Sequence, residues 1–158
     1  MKKIILATFL IFTTTLFVNA QQSYSTGIGL RGGLASGVTV KHFISDKAAL
    51  EGILSTRWRG TIITGLYEIQ QIAFDTPGLY WYYGGGAHIG FWGNYRSHPW
   101  FDDNASYTVI GIDGILGLEY AFAEIPFNVS LDWKPAVNLT GYSGLWADGG
   151  AFSVRYIF

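Results

Sequence analysis

The chain contains no cysteine. That excludes disulfide staples, Cys-ligated metal centres and a lipid-anchored lipoprotein, so the fold holds without covalent cross-links. Charge is also scarce: Asp, Glu, Lys and Arg make up 13% of the 158 residues, where about 25% is usual in soluble domains. The few charges are balanced, 10 basic against 11 acidic, with neither a basic patch nor an acidic run. A nucleic-acid partner is therefore not expected. Beyond the first twenty residues no apolar stretch reaches the roughly 18 residues that a membrane-spanning helix requires. A chain of this kind that crosses a bilayer must do so as a closed barrel, because only then is every backbone polar group paired within the wall.

What the sequence does have is aromatic residues, 17%, and 21 glycines. Its start carries a basic Lys2-Lys3, an apolar run from Ile4 to Val18, and the small-residue site Val18-Asn19-Ala20 before Gln21. This pattern reads as an export signal over residues 1–20, cleaved after Ala20, and not as a spanning anchor, for which it is short and Thr-rich. Residues 21–158 then form one domain.

The stretch FNVSLDWKPAVNL, Phe127 to Leu139, sets the type of that domain. Phe127, Val129, Leu131, Trp133, Val137 and Leu139 share one side of an extended chain, and Asn128, Ser130, Asp132, Lys134 and Asn138 share the other. Period-two alternation of this length is a two-faced β-strand, with Pro135 marking a bulge, an edge or an end. The same pattern recurs between turn signals. Strands are expected at about Ser23 to Arg31, Val38 to Ile44, Ala49 to Trp58, Thr61 to Ala73, Leu79 to Trp92, Tyr107 to Phe122, Phe127 to Leu139 and Ala151 to Phe158. Short turns follow the second, fourth and sixth; Gly93 to Ser106 and Gly141 to Gly150 read as long loops on the opposite side. An even count of strands in up-and-down order with this loop asymmetry predicts an all-β, eight-stranded antiparallel transmembrane barrel.

The ionisable residues decide which face points out. Arg31, Lys41, Glu51, Arg57, Glu68, Asp113, Glu119, Asp132, Lys134 and Arg155 all fall opposite the apolar set. Facing inward, five basic and five acidic groups can neutralise one another in a filled interior; slipped outward, each midplane Arg or Lys would cost about 2 to 4 kcal/mol in lipid. A soluble lipocalin-like barrel would put the polar face in water, but such surfaces carry more Lys and Glu and fewer glycines and aromatics. Trp81, Tyr120, Phe122, Phe127, Tyr156 and Phe158 are expected to form one aromatic belt, and Trp58 and Phe91 the other. His42 is the misfit, an ionisable side chain on the apolar face.

With its export signal, eight strands and the aromatic last strand FSVRYIF, the chain resembles the small outer-membrane β-barrel proteins of Gram-negative bacteria, the OmpA and OmpX type. The segments GLYWYYGGGAHIGFW and LDWKPAVNL also resemble members of unassigned function. The resemblance implies insertion by the barrel-assembly machinery, with Phe152, Tyr156 and Phe158 as its recognition signal. It also implies a place in the outer membrane among lipid and lipopolysaccharide, as a monomer.

No catalytic, cofactor or metal set is expected. Of the three histidines, His42, His88 and His98, His42 lies toward the terminal side, His88 points inward as a hydrogen-bonded interior residue, and no Gly-x-Ser-x-Gly elbow accompanies them. Asp102-Asp103-Asn104 fits a solvated loop tip better than a Ca²⁺ site. Gly84-Gly85-Gly86 lies mid-strand and is no phosphate cradle. Matches to the glycosylation pattern at Asn104, Asn128 and Asn138 are attributed to chance. Trp100, Phe101 and Trp146, large side chains in loops, either contact lipopolysaccharide or a partner, or pack the loops together. The expected role is non-enzymatic: envelope structure or surface interaction through the loops, with a small pore or a lipid-modifying enzyme as alternatives.

Overall fold

The computed structural model describes residues 24–93, 107–141, 144–147 and 149–158. The expected export segment, residues 1–20, lies outside these residues. Ten strands form among the described residues, in chain order: β1 (Thr26–Gly33), β2 (Ser36–Phe43), β3 (Ala48–Arg57), β4 (Gly60–Ile72), β5 (Leu79–Trp92), β6 (Tyr107–Ala121), β7 (Phe127–Trp133), β8 (Ala136–Asn138), β9 (Gly144–Trp146) and β10 (Gly150–Ile157). All neighbours pair antiparallel, β1 to β6 each with the next.

The ten strands make eight staves, because two staves are each interrupted once. Along the sixth stave Leu116 faces Trp133 and Asp113 faces Ala136, so three residue steps on one side match three on the other and β8 continues β7 in register. The gap between them is Lys134 and Pro135, of which the proline has no N–H for the ladder; its carbonyl still accepts from the Gly114 N–H at 2.9 Å. The other interruption is different. Trp133 faces Gly150 while Ala136 faces Trp146, so three steps on β7–β8 are matched by four on β9–β10. One extra residue is a β-bulge, and it reverses which face a given parity of residue presents. The Trp133 indole N–H, donating to the Ala147 carbonyl at 2.6 Å, and the Lys134 N–H, donating to the Gly149 carbonyl at 3.0 Å, hold it in place. The barrel closes where β10 returns to β1, from Gly27 opposite Ile157 to Gly33 opposite Ala151. At Gly29 a Cβ would run into the Val154 carbonyl, so the closing pair is packed more tightly than any other residue type allows.

The stretch expected as one loop from Gly141 to Gly150 thus holds the short strand β9, and the fold departs from the sequence reading there. It departs again at Trp58. That side chain was expected on the outer wall, but β3 ends at Arg57, and Trp58 and Arg59 form a two-residue hairpin with φ of 48° and 61°. A chain turning this way carries Trp58 off the wall and over the barrel mouth.

Elsewhere the alternation runs strictly. Leu30 and Leu131 are 69% and 65% exposed on the outer wall, while Lys41 and Arg155 inside are 0% exposed. The interior is layered along the axis. At the end where the termini lie, Tyr24, Phe43, Ala49, Tyr80, Ala121 and Ile157 form an apolar plug. Ile53, Leu66, Tyr82 and Ile115 form a second apolar cluster further in, and Ile62, Trp92 and Val109, with Trp146 against them, a third at the mouth. The charged side chains fill the space between. On the outer wall near the termini the aromatics pair up: Tyr120 with Phe122 at 5.0 Å between ring centroids, Phe127 with Tyr156 at 5.5 Å, and Tyr156 with Phe158 at 6.0 Å.

Candidate functional site

The interior charges gather in two groups. In the group nearer the termini, Lys41 lies 2.9 Å from Glu68 and 3.5 Å from Glu119, and Arg155 lies 2.6 Å from Glu51 and 3.5 Å from Glu119. All five are essentially sealed from solvent. Neutral donors complete the arrangement: the Tyr24 hydroxyl donates to Glu119 at 2.6 Å, the Gln70 amide donates to Glu119 at 3.1 Å, and the Thr39 hydroxyl donates to Glu51. Lys41 also donates to the Gln70 carbonyl oxygen at 2.7 Å, and its ammonium sits 4.0 Å from the centre of the Tyr82 ring. Strand geometry explains why these groups meet. Lys41 and Glu51 are direct cross-strand partners, as are Arg155 and Asn128, so each long side chain starts within reach of its neighbours.

The second group lies toward the mouth. Arg31 makes a two-pronged pair with Asp132, one prong 2.7 Å long, and the Tyr82 hydroxyl donates to the same carboxylate at 3.0 Å. Asp113 is shared by Lys134 and by His88, whose Nδ1 stands 2.7 Å from it. The other ring nitrogen of His88, Nε2, is 3.0 Å from the Asn138 side-chain oxygen. Both imidazole nitrogens are thereby engaged, one by a carboxylate and one by an amide. Neither is bonded to a hydroxyl it could activate as a nucleophile.

Above His88 stands Trp146, its ring nearly parallel at 14° with 6.2 Å between centroids. The bulge is what turns it inward: had alternation run unbroken over the same residues, its even number would place it on the wall with Phe152, Val154 and Tyr156. Trp58 and Trp92 meet it edge-on at 5.8 and 6.2 Å, and the Arg57 guanidinium lies 3.9 Å from the Trp58 ring centre and 5.2 Å from that of Trp146. Beneath this cap is a cavity of about 40 Å³.

No known protein family matches the sequence, and no curated protein does. Among solved structures the chain is similar to the N-terminal β-barrel domain of Pseudomonas aeruginosa OprF. The two share 17% identity with a TM-score of 0.64 over 87% of this chain and 98% of that domain. The likeness is one of fold: a closed, antiparallel, eight-stranded barrel.

Of the residues singled out from the sequence, Arg31, Lys41, Glu51, Arg57, Glu68, Asp113, Glu119, Asp132 and Arg155 are buried inside this barrel, and Lys134 is partly so, with 16% of its side chain exposed. Phe152, Tyr156 and Phe158 project from the outer wall. Trp146 takes the packing option. Trp100, Phe101 and the Asp102-Asp103-Asn104 tip lie outside the described residues, as do His98 and Asn104. His42 is on the outer wall close to the termini, its Nδ1 2.9 Å from the Thr26 hydroxyl.

Sequence reasoning put Asn128 and Asn138 on the polar face but did not single out the uncharged members of the interior: Tyr24, Gln70, Tyr82, Asn128 and Asn138, all buried. Parity was the available signal for four of them, since each shares the inward face with a charge two residues away or across the ladder. Tyr24 precedes β1 and had no strand to report its side.

Proposed function

We propose that the chain is an exported, monomeric outer-membrane barrel whose role is non-enzymatic, in envelope structure or in surface interaction through its loop end. One observation carries this reading: the polarity of the wall is the inverse of a soluble barrel's. Leu30, Val40, Leu54, Ile63, Ile112, Leu118 and Leu131 face out, each more than two-fifths exposed, while nine of the ten singled-out charges are sealed inside. In water so much contiguous apolar surface is a liability far beyond the few hundred Å² that monomers usually expose. Against acyl chains it is the favoured face, and the aromatic pairs near the termini suit the membrane interface. The interior ion pairs then serve to fill the barrel with matched charge. Phe152, Tyr156 and Phe158 would present the last strand to the barrel-assembly machinery, and lipopolysaccharide would surround the loop end.

His88 faces the interior, away from any lipid substrate, and this favours a non-enzymatic role. The clusters of Ile53, Leu66, Tyr82 and Ile115 and of the terminal plug favour a closed interior over a water path. The mature chain is expected to fractionate with outer membranes and to migrate differently on a detergent gel with and without boiling, as a closed barrel does. Recovery from the periplasm without detergent, with identical mobility in both lanes, would overturn the proposal. Planar-bilayer recording is expected to be silent; reproducible steps that change on Glu51→Gln would replace the filled barrel with a pore.

A further inference from the structure

The cavity under Trp146 has a one-sided chemistry. Five nitrogen-bearing side chains border it, Arg31, Arg57, His88, Lys134 and Trp146, together with the Ser55 hydroxyl, and among the described residues no carboxylate does. Asp132 and Asp113 hold Arg31 and Lys134 from beside the cavity, and so fix where the cations point without closing them off. Arg31 gives two of its five N–H groups to Asp132, and Lys134 gives one of its three to Asp113, which leaves donors of both for a further acceptor. The Lys134 side chain keeps 16% exposure, so the described residues do not seal the cavity.

We propose that this cavity is a binding site for a small oxyanion of the phosphate type. Among the described residues a cation would find no carboxylate on the lining, and those of Asp132 and Asp113 beside it are already engaged. A neutral solute would leave Arg31 and Lys134 donors unmatched, whereas planar guanidinium and ammonium groups together suit a tetrahedral oxyanion. The cavity, about 40 Å³, has room for one such group. Preorganisation favours it as well: the bulge, the Trp133 indole bond, the Lys134 backbone bond and the two ion pairs hold the lining before any ligand arrives. The group could belong to a free ion or to a lipid headgroup reaching in from the loop end.

The test is calorimetric titration of the intact protein, purified in a non-ionic detergent at low ionic strength, with inorganic phosphate. Saturable binding of one ion per barrel is expected. Lys134→Gln should weaken it at least about tenfold, the loss of one charge-assisted hydrogen bond, while Lys134→Arg should stay within about threefold of wild type. Arg59→Gln is the control, because Arg59 is an exposed cation in the neighbouring turn that does not line the cavity. Its affinity should be unchanged. Short-chain phosphatidic acid added as a competitor separates the sources: tighter binding than free phosphate assigns a lipid headgroup, and no competition assigns the free ion. Absence of saturable binding to wild type overturns the proposal, as does an equal loss in Arg59→Gln and Lys134→Gln, which would reduce the effect to surface charge. Should Lys134→Gln not fold, judged by its gel mobility, Ser55→Leu fills the cavity without removing a charge. Retained binding in that variant also overturns the site.

Discussion

Arg155 offers the most direct measurement of what the interior charges do. It is wholly buried, 2.6 Å from Glu51, 3.5 Å from Glu119 and 2.9 Å from the Ser130 hydroxyl to which it donates. Replacing it with Met keeps much of the stem's volume and removes only the cation. Glu51, Glu68 and Glu119 then share Lys41 alone, so the sealed group of five goes from two cations and three carboxylates to one and three. Breaking a buried pair from one side costs about 3 to 5 kcal/mol, because the abandoned charge has no water to return to. Against a typical total of about 5 to 15 kcal/mol this is a large fraction. With a urea slope of about 2 kcal/mol/M the unfolding midpoint in lipid vesicles should fall by roughly 2 M. The double variant Arg155→Met/Glu51→Gln removes one charge of each sign and should recover more than half of that loss, since the penalty lies in the unmatched carboxylate and not in the missing contact. A fall of less than about 0.5 M for Arg155→Met would mean that the group is not electrostatically closed. An equal fall in the single and double variants would assign the loss to packing.

Two further outcomes follow from the wall and its turns. Leu131→Arg places a cation on the outer face and should cost about 2 to 4 kcal/mol in vesicle unfolding, while Ser130→Ala, one residue away and inside, should cost about 1 kcal/mol; similar costs for both would contradict the inside-out polarity. Arg59→Gly relieves a side chain held at φ 61° in a two-residue hairpin and should raise the urea midpoint by an amount equivalent to about 0.5 to 1 kcal/mol. An unchanged or lower midpoint would mean that the arginine makes up for its backbone conformation through contacts of its own.

The legible part of this fold was the part governed by parity. From Tyr82 to Gly90 and from Phe127 to Trp133 every second residue is polar or glycine, and a one-residue slip would turn His88 or Asp132 to the apolar side, so the register had a single acceptable solution. The residues that escaped lie where parity is broken or not yet begun. Trp58 follows a strand that stops one residue sooner than its apolar spacing implies, because a two-residue turn needs its central positions out of the ladder. Trp146 sits beyond a bulge, and alternation read backwards from Phe152 assigns it to the wrong face. Pro135 was the visible mark of that irregularity, but the sequence shows it on β7–β8 while the extra residue is on the partner stave. The distribution of charge into two groups was not readable either, since it depends on how far each stave is staggered against the next.

The bulge is therefore what reconciles the native spacing with an inward Trp146, and it can be removed. Deleting Ala147 makes three steps on β9–β10 match three on β7–β8 and restores unbroken alternation. Gly150 faces out opposite Trp133, so three steps of regular strand still bring Trp146 to the inward face opposite Ala136, over His88 and beside Arg57. A Cys introduced at position 146 reports its side, because the chain has no other thiol. In the full-length barrel it should react slowly with a water-soluble maleimide and resist a lipid-soluble one, being packed between Trp58, Trp92 and His88. The deletion should label in the same way. The rest of the barrel need not change, since β10 pairs with β1 and β7 entirely below the deletion. If the lipid-soluble reagent wins in the deletion, β9 has slid by one residue against β8 and position 146 has turned to the wall, and the register argument for the mouth fails.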